Sequence, residues 1–192
     1  MSDELEQVQA AMSGDRDAFN RLVERYQRQA VAVASRMLGN IDDGLEVAQE
    51  AFIRAFQALE QLKEPARFKS WLMRIVVNRA LNFRRDRSKY ATVSLSDSYA
   101  SEQDDEAMSQ EQLVEGKEPL AQENLEAAEM AEAMQKAIDE LPENLRTALI
   151  LFSLEKLPQK EIADIMKCSL QTVKWNVFEA RKRLRVRLKN ML

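Results

Sequence analysis

The chain has 192 residues, 45% of them apolar and 31% charged, with a formal net charge of −4. That composition suits one large folded domain or two small ones rather than a disordered chain. Four Gly and four Pro argue against a turn-rich β protein. The absence of His excludes Ser-His-Asp and Cys-His catalysis, Cys-plus-His zinc sites and His-bearing di-iron bundles.

Near the N-terminus, Phe19, Leu22, Val23, Tyr26, Ala30, Val33 and Met37 recur at helical spacing, and Gly39-Asn40 stops that helix. A second run keeps the same period: Leu45, Ala48, Phe52, Ala55, Phe56, Leu59 and Leu62. Asp42 or Asp43 can cap it, and Gly44 in its first turn is a mild weakness. Pro65 breaks the chain. A third helix is predicted from near Phe68 to about Asp86. Its stretch from Trp71 to Phe83 is apolar nearly all round, which places it centrally. One stripe nonetheless reads Trp71, Ile75, Asn78, Asn82 and Arg85. It lies in a basic block, Arg67 to Lys89, with eight basic residues against one acidic. Trp71 fits either a core or a surface on which unpaired DNA stacks while Arg and Lys track phosphates.

Positions 91–125 read as a flexible acidic linker. From Asp97 to Glu129 there are eleven acidic residues and one basic, and the serine-rich start carries few large apolar side chains. Such a stretch buries too little apolar surface to offset its ordering entropy. As a coil it would span roughly 30–35 Å on average, enough to join two separate sites.

Beyond the linker, Ala127, Met130, Met134, Ala137, Ile138 and Leu141 form an amphipathic stripe that ends at Pro142. Leu145, Ala148, Leu149 and Phe152 mark another helix. Pro158 opens a short helix to about Lys167, and Cys168-Ser169 turns the chain into a long helix from Leu170 to about Lys189. The short helix, tight turn and long helix make a helix-turn-helix pattern. Val173, Val177, Ala180, Leu184 and Leu188 share one face at 100° per residue, and that face must be buried. Gln171, Trp175, Phe178, Glu179 and Lys182 then point outward, flanked by Lys174 and Arg181 on one side and Asn176 and Arg183 on the other. Two aromatics pointing away from a core either cover a neighbouring helix or lie against DNA. Six basic residues between Arg181 and Lys189 either complement the helix dipole or meet nucleic acid. The predicted fold class is all-α, with two small helical domains.

Cys168, the single cysteine, forms no internal disulfide, which suits a reducing cytoplasm, and it fits a core position better than a redox sensor. No apolar run approaches the roughly 18 residues of a membrane helix, and the start lacks a signal-peptide pattern.

These residues resemble a bacterial sigma factor of the sigma-70 family, extracytoplasmic-function group. The resemblance rests on five segments in order: G-D-R-D-A-F-N-R-L-V-E-R-Y, E-V-A-Q-E-A-F-I-R-A-F, R-F-K-S-W-L-M-R-I-V-V-N-R-A, A-I-D-E-L-P-E-N-L-R, and L-P-Q-K-E-I-A-D-I-M-K-C-S-L-Q-T-V-K with E-A-R-K-R-L-R after it. It implies a region 2-like domain over 1–90, a linker over 91–125 threaded through the polymerase's RNA exit path, and a region 4-like domain over 126–192. Asp43, Glu46, Gln49, Glu50 and Phe52 match the segment that docks on the β′ coiled coil of core RNA polymerase. Lys63, Arg67, Phe68, Trp71, Arg74, Asn78, Arg79, Asn82 and Arg85 match the surface that captures and melts the −10 element. Gln171, Thr172, Lys174, Trp175, Asn176, Phe178, Glu179, Arg181 and Lys182 lie on the reader of the −35 duplex. The implied partners are core polymerase, including its β flap, promoter DNA and an inhibitory anti-sigma factor. No cofactor, metal or catalytic residue is implied, and the setting is the cytoplasm.

The chain departs from the family at Gln171, where Gly is frequent, and at Trp175-Asn176, where a small polar and a basic residue are usual. The usual −35 preference therefore does not transfer. Gly44-Leu45 also replaces a common Ala-Glu. A stand-alone helix-turn-helix regulator is the alternative, but it leaves the basic stripe near Trp71 unexplained. A helical adaptor would bind no nucleic acid in a salt-dependent way. An enzyme lacks support, because no metal-ligand spacing, phosphate loop or activated nucleophile is present.

Overall fold

The computed structural model describes residues 2–94 and 121–191, with side chains described over 3–87 and 129–189. The described residues are helical, and none forms a strand. Four helices make the N-terminal block: α1 (Ser2–Met12), α2 (Arg16–Leu38), α3 (Ile41–Gln57) and α4 (Phe68–Ser94). Two short 3-10 turns, Leu59–Gln61 and Pro65–Arg67, connect α3 to α4. The C-terminal block holds α5 (Ala121–Asp139), α6 (Glu143–Ser153), α7 (Gln159–Met166) and α8 (Leu170–Met191).

Capping explains the boundaries. Asp15 accepts from the backbone N–H groups of Asp17 and Ala18 at 2.9 and 3.0 Å and starts α2. Gly39 ends α2 with φ +79, the left-handed conformation that glycine adopts without a Cβ penalty. The cap of α3 is Asn40 rather than Asp42 or Asp43. Its side-chain oxygen accepts from the N–H groups of both aspartates, at 2.7 and 3.1 Å. The two aspartates instead sit in the first turn, where negative charge complements the helix dipole.

Helix α3 packs on α2 through small residues. Ala48, Ala51 and Ala55 are buried together with Val47 and Gly44. A Cβ on Gly44 would lie 2.7 Å from the backbone nitrogen of Ser35 and 2.8 Å from its Cα. Gly44 is therefore a point of close helix approach, not the mild weakness that helix propensity suggests. Gly44→Ala should destabilise the fold by about 1–3 kcal/mol through overpacking. Thermal melting checks this, and a variant as stable as the parent would contradict the close approach. The Ala-lined seam also turns Leu45 and Phe56 out of the core, contrary to their place in the predicted apolar stripe: they are 51% and 46% exposed.

Helix α1 is an element that the periodicity did not anticipate. Val8 is fully buried against the rest of the core, and Tyr26 of α2 donates its phenol proton to Glu4. Burial, followed by Glu4, holds the Tyr26 phenol well above its ordinary range.

The linker prediction needs correcting at both ends. Helix α4 continues to Ser94 and α5 begins at Ala121, so 91–94 and 121–125 are helical. Residues 95–120 lie outside the described residues.

The two blocks share a core. One apolar cluster runs from Leu22, Phe68 and Leu72 into Ile150, Leu151 and Ile162. A smaller cluster closes α5, α6 and α8 around Leu141, Leu149 and Leu184. Arg146 of α6 ties the blocks together and is 3% exposed. Its Nε donates to the carbonyl of Ile138 at 3.1 Å and its Nη1 to that of Met37 at 3.0 Å. Its Nη2 donates to the carbonyls of Leu141, at 3.1 Å, and Asp139. One guanidinium thus serves carbonyls at the end of α2, at the end of α5 and in the turn after α5.

Candidate nucleic-acid interface

Helix α4 presents the first surface. Leu72, Met73, Val76 and Val77 face the core, which leaves Arg74 and Asn78 exposed and Trp71 half-buried. The Trp71 ring leans on Phe68, with centroids 5.9 Å apart. Phe68 itself is fully buried and packs on Tyr26, with centroids at 5.7 Å. It cannot contact a base and belongs instead to the platform beneath Trp71. That corrects its expected place on the −10 surface. Arg79 is paired with Glu50 of α3, and Arg85 donates to Asn82. Lys63 and Arg67 are exposed at the entrance to α4.

Lys63, Arg67, Trp71 and Arg74 line one wall of an open cleft of about 470 Å³. Glu161 and Asp164 of α7 stand on the other wall. Arg67 pairs across it with Asp164 at 3.7 Å. Beside it, the Lys69 ammonium donates to the Glu155 backbone carbonyl at 3.1 Å and lies 3.5 Å from the Glu155 carboxylate. Burial, opposed by Lys69, pushes the Glu155 carboxyl above its ordinary range. In this arrangement α7 faces the Trp71 end of the stripe across the cleft, while Asn78 and Arg85 stay exposed.

Helix α3 supplies the second surface. Glu46 and Gln49 are exposed. Asp43 and Glu50 are half-buried and bound to Arg87 and Arg79 of α4. Phe52 is buried against α2, so it shapes the helix from below and does not reach a partner, contrary to its expected docking role. Residues overlooked in the sequence are Leu45, Ile53 and Phe56, all exposed on the same side as Gln49. The Phe56 ring meets Phe19 edge-on, with centroids at 5.0 Å. The signal was available: an alanine-rich face predicts the tight helix contact and leaves larger residues outside.

Helix α8 forms the third surface. Lys167, with φ +52, makes the tight turn after α7, and Ser169 caps α8 by accepting from the Thr172 N–H at 3.0 Å. Val173, Val177, Ala180 and Leu184 are buried as the periodicity predicts. Gln171, Lys174, Trp175, Phe178, Arg181 and Lys182 are exposed. Asn176 is not on this face: it is 3% exposed, packed at the edge of the buried arc. Glu179 accepts from Arg183 at 2.8 Å, which holds its carboxyl below the ordinary range. Arg181 lies over the Phe152 ring, 5.0 Å from its centroid. Cys168 is half-buried in the turn, and burial raises its thiol. Among the described residues, no group of His, Cys, Asp and Glu suits a metal ion, and no helix is long and apolar enough to cross a membrane.

Residues 22–90 match the Sigma-70 region 2 family, and residues 131–184 match the Sigma-70, region 4 family. The chain is 36% identical to the ECF RNA polymerase sigma-E factor of Escherichia coli K12 over 181 residues, 91% of this chain and 88% of that protein. It is 32% identical to the RNA polymerase sigma-H factor of Pseudomonas aeruginosa over 188 residues, 96% of this chain and 93% of that one. Among solved structures it is similar to CnrH in complex with the cytosolic domain of CnrY, with a TM-score of 0.66, 24% identity and 98% of both chains covered. It is also similar to the sigma factor RpoE in complex with the anti-sigma factor NepR from Bartonella quintana, with a TM-score of 0.67, 22% identity and coverage of 89% of this chain and 96% of that one. Two sigma regions in order, a shared helical fold and relatives aligned over nearly the whole length lead to one conclusion: the chain belongs to the extracytoplasmic-function group of the sigma-70 family of RNA polymerase sigma factors.

Proposed function

We propose that this sigma factor directs core RNA polymerase to promoters through three separate surfaces and performs no chemistry of its own. Lys63, Arg67, Trp71, Arg74, Asn78, Asn82 and Arg85 would engage the unpaired −10 strand, with Trp71 as the stacking platform. Asp43, Glu46, Gln49 and Glu50, with exposed Leu45, Ile53 and Phe56 beside them, would dock on the β′ coiled coil. Helix α8 would read the −35 duplex. The functional division is region 2 over 1–90 and region 4 over 126–192, and the site of action is the cytoplasm. An anti-sigma factor, of the kind bound to RpoE from Bartonella quintana, would act by holding the blocks away from polymerase.

One observation carries this reading. The same chain joins a helix-turn-helix with exposed Gln171, Trp175 and Phe178 to a basic, aromatic-bearing stripe on α4. A stand-alone regulator has no use for the second surface. Run-off transcription tests the reading. Purified core polymerase, this chain and a library of upstream DNA from its own genome should give transcripts from discrete sites only when the chain is present. With an active core and a working control sigma factor, the absence of such transcripts would overturn it.

A further inference from the structure

The reader face of α8 is unusual in what it leaves free. Thr172 is turned back into the cap, its hydroxyl 2.8 Å from that of Ser169. Asn176 is buried. The Glu179 carboxylate is held by Arg183, and Arg181 is stacked on Phe152. Four of the polar side chains that could read base edges are therefore engaged within the protein. What remains outward is Gln171, two lysines and two large rings.

Trp175 is 56% exposed and Phe178 is 67% exposed. Among the described residues neither ring stacks on another aromatic or on a cation. They are three positions apart, so they lie on one side of the helix, about 4.5 Å apart along its axis. Lys174 and Lys182 flank the rings with charges suited to phosphates, and Arg185 continues the basic surface. This charge pattern fits DNA as the occupant. In the major groove the apolar group that a ring can contact is the C5-methyl of thymine.

We infer that this sigma factor reads its −35 element chiefly through thymine methyl groups, with Trp175 and Phe178 as the specificity-determining side chains. The inference rests on the proposed −35 role of α8 and goes beyond it by naming the chemical feature read. Gln171 adds a hydrogen bond at the N-terminal end of the same face, and the lysines supply affinity that does not depend on sequence.

Uracil substitution isolates the methyl. It removes the C5-methyl and leaves every hydrogen-bonding group of the base pair in place. Holoenzyme assembled from core polymerase and the full chain would be titrated on its own promoter. Thymines of the −35 element would then be replaced singly by deoxyuridine. The expected result is a weakening of about threefold to fivefold at each contacted methyl. Trp175→Ala or Phe178→Ala should weaken binding to the thymine promoter and abolish the uracil effect at the position that its ring contacts. Gln171→Ala should leave the uracil effect intact. Specific initiation from the unsubstituted promoter checks the underlying function separately. Equal use of thymine and uracil promoters would overturn the inference. So would a −35 element without thymine on either strand, or a loss in the ring variants that is the same on both promoters, which would place the rings against protein.

Discussion

Arg146→Met should destabilise the protein by about 2–5 kcal/mol, since each buried carbonyl left without a donor costs about 1–3 kcal/mol. Of the four carbonyls that Arg146 serves, those of Met37, Ile138 and Asp139 lie in the last turns of α2 and α5 and that of Leu141 just beyond α5; the Ile138 carbonyl also accepts from the Leu141 N–H at 3.1 Å. Methionine fills similar volume but takes this donor from the Met37, Asp139 and Leu141 carbonyls, and leaving a buried acceptor unpaired costs more than its hydrogen bond contributes on average. Arg146→Lys should restore little, because an ammonium cannot spread its donors over a planar fork. Urea unfolding checks both variants. The midpoint should fall well below that of the parent with the slope preserved. A midpoint for Arg146→Met within the error of the parent would mean that Arg146 does not hold the junction.

Asn78→Ala and Trp71→Ala should each reduce open-complex formation by about tenfold to a hundredfold. For Trp71 the figure follows from the roughly 1–3 kcal/mol that one aromatic–base contact contributes in single-strand sites, and for Asn78 from the roughly 1–3 kcal/mol lost when a buried polar group loses its hydrogen-bonding partner. Asn78 is exposed, so its loss should leave the unfolding midpoint in place. Trp71 leans on Phe68, so Trp71→Ala also loses packing, and Trp71→Phe separates the two effects by keeping a ring. Permanganate reactivity of −10 thymines in the holoenzyme complex gives the measurement. Unchanged reactivity with Asn78→Ala would remove α4 from the melting surface.

The helices were legible because their buried faces are periodic and their ends carry chemical punctuation. Gly39 and Pro142 mark boundaries that the structure keeps. Elsewhere, periodicity misled where a face is wider or narrower than its largest residues suggest. Asn176 lies about 60° from Val173 around α8, close enough to be covered by the packing on that face. Leu45 and Phe56 fall outside because α3 approaches α2 through alanine and Gly44, and small residues give weak hydrophobic signals. The roles of Phe68 and Phe52 show the same limit: a motif names a segment, but burial decides which of its side chains meet a partner. Contacts between the blocks had no local signature. Arg146 and Met37 are 109 positions apart, and nothing in either neighbourhood announces the other.

The cleft between α4 and α7 bears on binding equilibria as well as on shape. Asp164 pairs with Arg67, and Glu161 and Asp164 face Arg74 across the open cleft. Under the proposed −10 role, a strand that pairs with Arg67 therefore binds the fraction of molecules in which the blocks have parted and Asp164 has left Arg67. Its apparent dissociation constant is the intrinsic one divided by that fraction. With one molecule in a hundred parted, affinity falls about a hundredfold, or about 2.7 kcal/mol. Any partner that grips the separated blocks removes this deficit and so binds cooperatively with the strand, without touching it.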